Sequence, residues 1–402
     1  MSSSVALAPA AAVVAVDVGK ATAAVLVSDA QRHRLLGPLD FSMTRAGLTQ
    51  VITKTQAVLP AGLIRVGLEA AGHYHRPLAT PAVWPGWQVV ELNPAHVSEQ
   101  RRVMGRRRVK TDALDLEAIT ELVLAGRGVV VAETSAPITE LTAWAGLRRR
   151  RVATRVATKN QLLSQLDRCF PGLTLALPNV LDTRVGWLVA QEFADPRRLA
   201  RLGASRFIRF AAVRGLQVRR PVADRLITAA REALPSADAP AARHMLAADF
   251  SLLTSLEEQA RTAEAAMAKL LPDTAFAPLL SVPDWAVVRV GNYAAAVGDP
   301  DRWPSASQLY RAAGLSPIQY ESAGRRRDSS ISREGSVALR GALMDLGIGL
   351  WHGDPAAKHY AQQLRARGKH GGVIACAMAH RANKIAFALV RDQAGYDPAR
   401  WA

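Results

Sequence analysis

The stretch Val13-Val-Ala-Val-Asp17-Val-Gly19-Lys20 begins the part of the chain whose pattern decides the fold. Its β-branched start predicts a strand that ends at Asp17. A second apolar run, Ala21 to Val27, follows directly. Two strand-like runs joined by a turn that holds Gly19 indicate a β-hairpin.

Outward from this hairpin, strand-like and helix-like segments alternate. Strands are expected at 34–41, 63–68 and 87–92, and helices at 44–59, around 73–83 and at 112–124. Thr111 is placed to cap the last of these helices. This order predicts an α/β region, residues 1–130, with a mixed sheet, helices on both faces and catalytic groups at strand ends.

The sequence pattern predicts that the rest of the chain is mostly helical. Long helices are expected at 138–170 and 244–271, and short, proline-broken helices lie between them at 173–243. We therefore predict a central region, 131–272, in which two long helices form an antiparallel arm around an insertion. The arm would pack on its own core or pair with another subunit. Residues 273–402 are expected to form a last, mostly helical domain.

The composition indicates a polyanionic partner. The 402 residues contain 51 Lys and Arg against 34 Asp and Glu, a formal net charge of +17. A chain this basic usually binds nucleic acid, although charge kept for solubility is the alternative. Two cysteines without C-x-x-C spacing argue against a zinc site and against a disulfide scaffold. The N-terminal apolar run lacks a preceding basic residue and is interrupted by Asp17, so we expect a cytoplasmic protein.

Four carboxylates are candidates for a magnesium site. Asp17 and Glu69 end predicted strands, and Asp112 and Asp115 share one face of a predicted helix because they are three residues apart. Mg²⁺ prefers such hard oxygen ligands, and two metals clamp a phosphodiester during strand cleavage. Taken singly, each acid has a structural alternative: a turn cap, a surface carboxylate or a favoured charge in a first helical turn.

Two groups of basic residues are candidate nucleic-acid contacts. Six of the ten residues that lead into Thr111 are positive, and they are Arg101, Arg102, Arg106, Arg107, Arg108 and Lys110. The second group consists of Arg325, Arg326, Arg327, Arg333 and Arg340. Positive side chains near carboxylates are expected where phosphates approach, and a solvated charged loop is the alternative.

Three N-terminal motifs carry a resemblance to a known family. The motifs Val-Ala-Val-Asp17-Val-Gly19-Lys20, Gly67-Leu-Glu69-Ala and Lys110-Thr-Asp112-Ala-Leu-Asp115 resemble the DEDD transposases of bacterial insertion sequences. These are also called bridge recombinases, and they include the Piv-type DNA invertases. Lys-Thr-Asp-x-x-Asp is the most specific of the three motifs.

The C-terminal part is similar to the same family. Leu309 to Pro317 resembles its A-G-L-x-P segment, and Ile331 to Gly335 followed by Leu339-Arg340 resembles its I-S-K-x-G and L-R elements. Two segments depart from the pattern. Ser281-Val-Pro-Asp-Trp285 stands where the family has Pro-Gly-Ile-Gly, and Ala323 separates Ser322 from Gly324 in the family's serine-glycine pair.

The resemblance implies a fold, an activity and partners. It implies a RuvC-like RNase H fold in 1–130, a coiled-coil arm in 131–272 and a transposase domain in 273–402. Asp17, Glu69, Asp112 and Asp115 would hold Mg²⁺, and Ser322 would be the nucleophile that forms a phosphoserine–DNA intermediate. Ser329, Ser330 and Ser332 are the alternative nucleophiles. It also implies donor and target DNA, a structured guide RNA and a homo-oligomer, either a dimer or a tetramer.

Three other functions remain open from the residues. One is a metal-dependent endonuclease similar to Holliday-junction resolvases, without a covalent intermediate. Another is a sugar-kinase-like ATPase, because Asp-x-Gly after a first strand also occurs there, although the chain has no convincing glycine-rich phosphate loop. The third is a non-catalytic DNA-binding protein.

Overall fold

The computed structural model describes residues 9–70, 72–105, 111–322 and 325–401, without the side chains of 319–322, 325–329 and 401. The chain forms two compact units that divide between Thr134 and Ser135. The first unit is mixed α/β and the second is mostly helical, as the sequence predicts. The finer three-part division stays a prediction.

A six-stranded sheet forms the centre of the first unit. Its strands are β1 (Ala12–Val18), β2 (Thr22–Asp29), β3 (Arg34–Ser42), β4 (Ile64–Glu69), β5 (Gln88–Leu92) and β6 (Val129–Val130). They lie in the order β3-β2-β1-β4-β5-β6. β1, β4 and β5 are parallel, and β2, β3 and β6 join as antiparallel partners. The predicted mixed sheet is therefore confirmed.

Helices cover both faces of this sheet. They are α1 (Arg45–Gln56), α2 (Pro94–Val103) and α3 (Asp112–Leu124). Val14 and Val16 of β1 pack in one core with Val51 of α1. Val13 and Ala15 face the opposite core, which α2 and α3 cover. Burial on both sides explains why β1 is a continuous apolar run and does not alternate with polar residues.

Two local expectations between β4 and α2 are wrong. The helix expected at 73–83 is a series of turns that ends in the 3₁₀ helix Pro81–Val83. The segment after β5, which gave no helix prediction, forms α2. Asn93 caps α2 by accepting a hydrogen bond from the Ala95 N–H at 2.9 Å, and Pro94 takes the first helical position. Asn-Pro thus starts a helix here as well as ending a strand.

Two long antiparallel helices organise the second unit. They are α4 (Ala136–Cys169) and α10 (Ala239–Leu270), close to the predicted ranges. Arg148 near the start of α4 pairs with Glu264 near the end of α10 at 2.6 Å. Gln165 near the end of α4 bonds to Asp249 at 2.8 Å. These two contacts fix the opposite directions of the helices.

Each end of this helix pair carries its own hydrophobic core. Leu162 and Leu166 of α4 pack with short helices, which are α5 (Leu173–Ala176), α6 (Arg184–Glu192), α7 (Pro196–Leu202), α8 (Ala204–Val213) and α9 (Arg220–Glu232). Leu141 of α4 packs at the other end with the C-terminal helices. The short helices predicted between the long ones are therefore present.

The C-terminal part contains six α-helices and one hairpin in the described residues. The helices are α11 (Val287–Val297), α12 (Ala306–Ala312), α13 (Val337–Gly353), α14 (Pro355–Ala366), α15 (Gly371–Asp392) and α16 (Pro398–Trp401). The strands are β7 (Pro317–Ser322) and β8 (Arg325–Ile331). Of the helices described, only α15 is long and apolar enough to cross a membrane, and it is largely buried in the C-terminal core.

Candidate active site

Asp17 and Glu69 occupy neighbouring positions on two parallel strands. Val16 of β1 is paired with Leu68 of β4, so the next residue on each strand is one of these acids. Adjacent strands lie about 4.8 Å apart. Val16 and Leu68 face the α1 side of the sheet, so alternation directs Asp17 and Glu69 to the α3 side. The structure therefore brings these two predicted site residues together at the carboxyl ends of β1 and β4.

The α3 helix runs against the direction of β1. Arg32 pairs with Glu121 at 2.7 Å, and Arg34, farther along the chain, pairs with Glu117 at 3.4 Å, nearer the start of the helix. β3, which begins at Arg34, runs in the same direction as β1 because both are antiparallel to β2. The start of α3, with Asp112 and Asp115, is therefore directed towards the sheet end that carries Asp17 and Glu69.

Gly67 allows α3 to lie close on this face. A Cβ atom at this position would come within 2.7 Å of the Val123 Cγ2 and 2.8 Å of the Ile119 Cγ2. Ile119 lies one turn after Asp115 on the same side of α3. The Gly-Leu-Glu motif thus has two physical parts: a glycine that admits the helix and a glutamate that ends the strand.

The two acids of α3 differ in environment. Thr111 caps the helix by accepting a hydrogen bond from the Leu114 N–H at 3.4 Å, as the sequence predicts. Asp112 is exposed in the first turn, whereas Asp115 is 2% exposed. Asp115 forms an ion pair with Arg101 of α2, with 2.9 Å between its Oδ1 and the arginine Nε. Among the described residues, no three His, Cys, Asp or Glu side chains form a group that could hold a metal ion.

Arg101 therefore has a different environment from the other members of its basic group. Its side chain is only 18% exposed and is engaged with Asp115, whereas Arg102 is exposed. Sequence reasoning placed both arginines in a nucleic-acid contact and missed the ion pair. Arg106, Arg107, Arg108 and Lys110 lie outside the described residues. Their predicted contacts to nucleic acid stay predictions.

Replacement of Arg101 by methionine should destabilise the first unit strongly. Removal of one member of a buried ion pair costs about 3–5 kcal/mol. We expect Arg101→Met to lower the free energy of unfolding by about this amount, as measured by chemical denaturation. Arg102→Met is the matched control, since this exposed neighbour should change stability by less than about 0.5 kcal/mol. Equal stability of the two variants would show that the ion pair is not important to folding.

Ser322 is the last residue of β7, at the end of a hairpin that the sequence did not predict. Its backbone is paired with that of Arg325 on β8, and Glu321 and Tyr320 are paired with Arg326 and Arg327. The hairpin places the serine and the three arginines of the second basic group in consecutive register. Ala323 and Gly324, which join the two strands, lie outside the described residues.

Two motif segments of the C-terminal part form the base of this hairpin. The Arg333 N–H donates to the Gly314 carbonyl at 2.9 Å, and the Ser332 N–H donates to the Ser316 carbonyl at 2.9 Å. A Cβ at position 335 would come within 2.2 Å of the Ala312 carbonyl oxygen, so the glycine there is required for this contact. The A-G-L-x-P and I-S-R-x-G segments are thus one structural element.

Arg340 is part of the same element. Its Nη1 donates to the Ala313 carbonyl at 3.1 Å and to the Arg333 carbonyl at 3.2 Å. Arg333 is exposed, with a positive φ of 57°. The guanidinium of Arg340 is therefore used to hold two loops together, which the sequence could not indicate, while Arg333 remains accessible. Their predicted roles in nucleic-acid binding stay predictions.

The segment that departs from the family's Pro-Gly-Ile-Gly pattern packs on its own core. Asp284 has a positive φ of 65°, a conformation that glycine adopts more easily. Its carbonyl accepts a hydrogen bond from the Arg289 Nη1 at 2.8 Å. Trp285 is 2% exposed and donates its ring N–H to the Leu346 carbonyl. Asp284 therefore takes a backbone conformation that is strained for a residue with a side chain.

Two family models match separate parts of this chain. A DEDD transposase model of the IS110 type matches residues 14–171, which include all four acids. A model described as transposase of the IS116/IS110/IS902 family matches residues 278–362, which include Ser322. Together the two segments cover more than half of the chain.

Two curated relatives come from insertion elements. The chain is 26% identical over 296 residues, 72% of each chain, to the insertion element IS110 uncharacterized 43.6 kDa protein of Streptomyces coelicolor. It is 29% identical over 130 residues to the insertion element IS900 uncharacterized 42 kDa protein of Mycobacterium paratuberculosis, which is 30% of this chain and 31% of that protein. The chain belongs to the IS110 family of DEDD transposases and is a DNA transposase of an insertion element.

Proposed function

We propose that this transposase cuts and rejoins DNA with Mg²⁺ held by Asp17, Glu69, Asp112 and Asp115 and with Ser322 as the nucleophile. The observation that supports it most is the register of β1 and β4, which makes Asp17 and Glu69 neighbours at one sheet end. We also propose that the first unit is a RuvC-like RNase H fold. The order β3-β2-β1-β4-β5, with acids at the ends of β1 and β4, supports that assignment.

The acids fit a divalent metal by their chemistry. DEDD transposases are generally metal-dependent, and carboxylate oxygens are the ligands that Mg²⁺ prefers. Asp17 and Glu69 are partly exposed, so substrate phosphate could complete the ligand set. Arg101 neutralises Asp115 in this structure, and binding of a cation there would require that ion pair to loosen. When bound, Mg²⁺ would supply positive charge next to the phosphate under attack.

The proposed reaction has two balanced steps. The Ser322 hydroxyl oxygen attacks a DNA phosphorus, its proton goes to a base or solvent, and the bond to the leaving deoxyribose oxygen breaks. The leaving oxygen takes up a proton and becomes a free hydroxyl end. A hydroxyl end of the partner strand then attacks the phosphoserine phosphorus and gives its proton to a base or solvent. The bond to the serine oxygen breaks, and that oxygen takes up a proton to restore the hydroxyl. The covalent bond preserves the phosphodiester energy for rejoining, which suits strand exchange better than hydrolysis.

The partners of the reaction are proposed from charge and composition. DNA is the substrate of a transposase, and the net charge of +17 favours binding of polyanions. Aromatic residues make up only 5% of the chain, so an extended base-stacking platform is not expected. We propose that a structured guide RNA supplies sequence recognition by base pairing. We also propose a cytoplasmic homo-oligomer, in which the α4–α10 pair forms a coiled-coil arm.

The trapping of covalent products tests this function. The protein would be incubated with Mg²⁺, with a labelled supercoiled plasmid that carries the element and its flanking DNA, and with RNA transcribed from the element. A labelled species that migrates slowly in denaturing gels and disappears after proteinase digestion is the expected phosphoserine adduct. Nicked DNA without any such adduct would favour a resolvase-like endonuclease. Unchanged plasmid with bound protein would favour a non-catalytic DNA-binding protein.

A further inference from the structure

The insertion between the two long helices contains an unusual concentration of arginine. Residues 195–232 include ten arginines, no lysine and three carboxylates. This segment lies between the parts of the chain that the two family models match, 14–171 and 278–362. The family assignment therefore does not account for these charges.

Contacts bring several of these arginines onto one continuous surface. The Arg201 Nε donates to the Arg197 carbonyl at 3.3 Å, and the Arg206 Nη2 donates to the Arg201 carbonyl at 2.7 Å. The Arg220 Nη1 of α9 donates to the Ser205 Oγ of α8 at 3.2 Å. Arg209 lies one turn after Ser205 on the exposed side of α8. The insertion surface is defined by Arg197, Arg201, Ser205, Arg206, Arg209 and Arg220.

The positive charge of the insertion surface is only partly neutralised. Asp195 pairs with Arg197 and Asp224 pairs with Arg220, each at 3.0 Å. In the part of the chain that the structure describes, no carboxylate lies within ion-pair distance of Arg201, Arg206 or Arg209. A purely structural role would explain Arg201, which bonds to the Arg197 carbonyl within α7, and Arg206, which bonds to the last two carbonyls of α7. It does not explain Arg209, whose exposed side chain makes no hydrogen bond among the described residues.

Two helix N-termini open onto the same surface. The N-cap residues of α8 and α9 are Gly203 and Arg219, and neither accepts a capping hydrogen bond with its side chain. The Arg220–Ser205 contact holds these two ends side by side. The first N–H groups of a helix lack partners inside the helix and bind phosphate well. Arginines and uncapped N-termini together form a site for consecutive backbone phosphates.

The aromatic residues nearby do not form a platform for unpaired bases. Phe207 is fully buried, and the Arg214 guanidinium lies 3.6 Å from the centre of the Phe210 ring. Contacts to phosphates without base stacking are typical of proteins that bind the backbone of a duplex. We propose that the insertion surface binds the backbone of duplex DNA that flanks the site of strand exchange.

The position of the insertion surface supports the proposal that the bound DNA flanks the site of strand exchange. Residues 146–161 of α4 separate the insertion core from the C-terminal core that carries the β7–β8 hairpin. This stretch spans about 24 Å of helix at 1.5 Å per residue. At 3.4 Å per base pair, the distance corresponds to about seven base pairs of DNA. The surface therefore contacts DNA at some distance from the hairpin serine.

Equilibrium DNA binding by the full chain tests this proposal. Affinity for a fluorescent duplex of about 40 base pairs would be measured by anisotropy between about 50 and 200 mM salt, without Mg²⁺. The triple variant R201Q/R206Q/R209Q should bind at least about 10-fold more weakly, and its salt slope should fall by about 2.7, since each lost phosphate contact contributes about 0.9. Strand exchange plays no part in this measurement, so failure here is distinct from failure of the proposed chemistry.

A charge-matched triple variant provides the control. R184Q/R225Q/R231Q removes three exposed arginines from elsewhere in the insertion, and its salt slope should fall by less than about 1. If R201Q/R206Q/R209Q fails to fold, Arg209→Glu alone should lower the slope by about 1 or more. Its melting temperature should be unchanged, since the Arg209 side chain is exposed and makes no hydrogen bond among the described residues. The proposal would be overturned if R201Q/R206Q/R209Q bound duplex DNA with the same affinity and salt slope as the control variant. It would also be overturned if the triple variant lost affinity only for duplex RNA.

Discussion

Asp17→Asn should lower the rate of strand exchange at least about 10³-fold while leaving the fold intact. Asparagine keeps the shape of the side chain at the end of β1 but removes the negative charge that a divalent cation needs. A metal contributes several kcal/mol to the stabilisation of charge on a transferred phosphoryl group, and each 1.4 kcal/mol corresponds to about a factor of ten in rate. Glu69→Gln, one strand away, should have a similar effect.

Asp40 provides a matched control on the same sheet. It is paired with Ala24 of β2, which is paired in turn with Asp17, so it lies in the same row two strands away. Asp40→Asn makes the same chemical change on an exposed strand about 10 Å from Asp17, at about 4.8 Å per strand. Plasmid recombination and a thermal melt would be measured for both variants. If Asp17→Asn and the wild type recombined plasmid at the same rate, Asp17 would not be a catalytic residue.

Metal binding gives a second measurement that does not depend on recombination. A ligand that binds only the folded state raises the melting temperature in proportion to the logarithm of its concentration. Mg²⁺ or Mn²⁺ should therefore stabilise the wild type and Asp40→Asn, but stabilise Asp17→Asn and Glu69→Gln much less. If all four proteins respond equally, the cation binds elsewhere and the acids act without it.

The positions of the acids were predictable because their signals are local. A β-branched run followed by Asp17 and Gly19 indicates where a strand ends, and Thr111 before Asp112 indicates where a helix begins. The order of strand and helix segments then indicates the class of sheet. These strand ends and this helix start are set by neighbouring residues, so the sequence alone places them closely.

The partner of Asp115 was not predictable in the same way. Arg101 lies in a run of positive residues that looks uniform in the sequence, yet it alone among the described members is inserted next to a buried carboxylate. The distinction arises because α2 and α3 share one face of the sheet, which is a long-range arrangement. The β7–β8 hairpin was missed for another reason: its arginine-rich strand lacks the apolar alternation that predicts strands.

The arginines of the insertion were overlooked because they are dispersed along the sequence. Arg206 of α8 and Arg220 of α9 are separated by 13 residues, and only the packing of α8 against α9 brings Ser205 next to Arg220. Contiguous runs such as 101–110 attract attention first. A surface built from three short helices shows its charge density only after those helices have packed.

Ser322→Ala should abolish both the covalent adduct and recombination while leaving DNA binding unchanged. Alanine removes the only atom that could form the phosphoserine bond, so residual activity should fall to the background of the assay, a loss of at least about 10³-fold. The substitution lies at the end of β7, where the backbone is paired with Arg325, and alanine is compatible with that pairing. Gel analysis of the labelled plasmid measures adduct and recombinant product in the same reaction.

Ser330 is the natural control for this prediction. It lies on the partner strand β8, within the same hairpin, and Ser330→Ala should retain both adduct and recombination. If the adduct were instead lost in Ser330→Ala and kept in Ser322→Ala, Ser330 would be the nucleophile and the proposed chemistry would stay the same. Recombination at the wild-type rate by both variants and by Ser329→Ala, which changes the third serine of the hairpin, would exclude a hairpin serine. The acids would then act in a hydrolytic reaction, because a water molecule would replace the serine as nucleophile and the ends would be rejoined by other means.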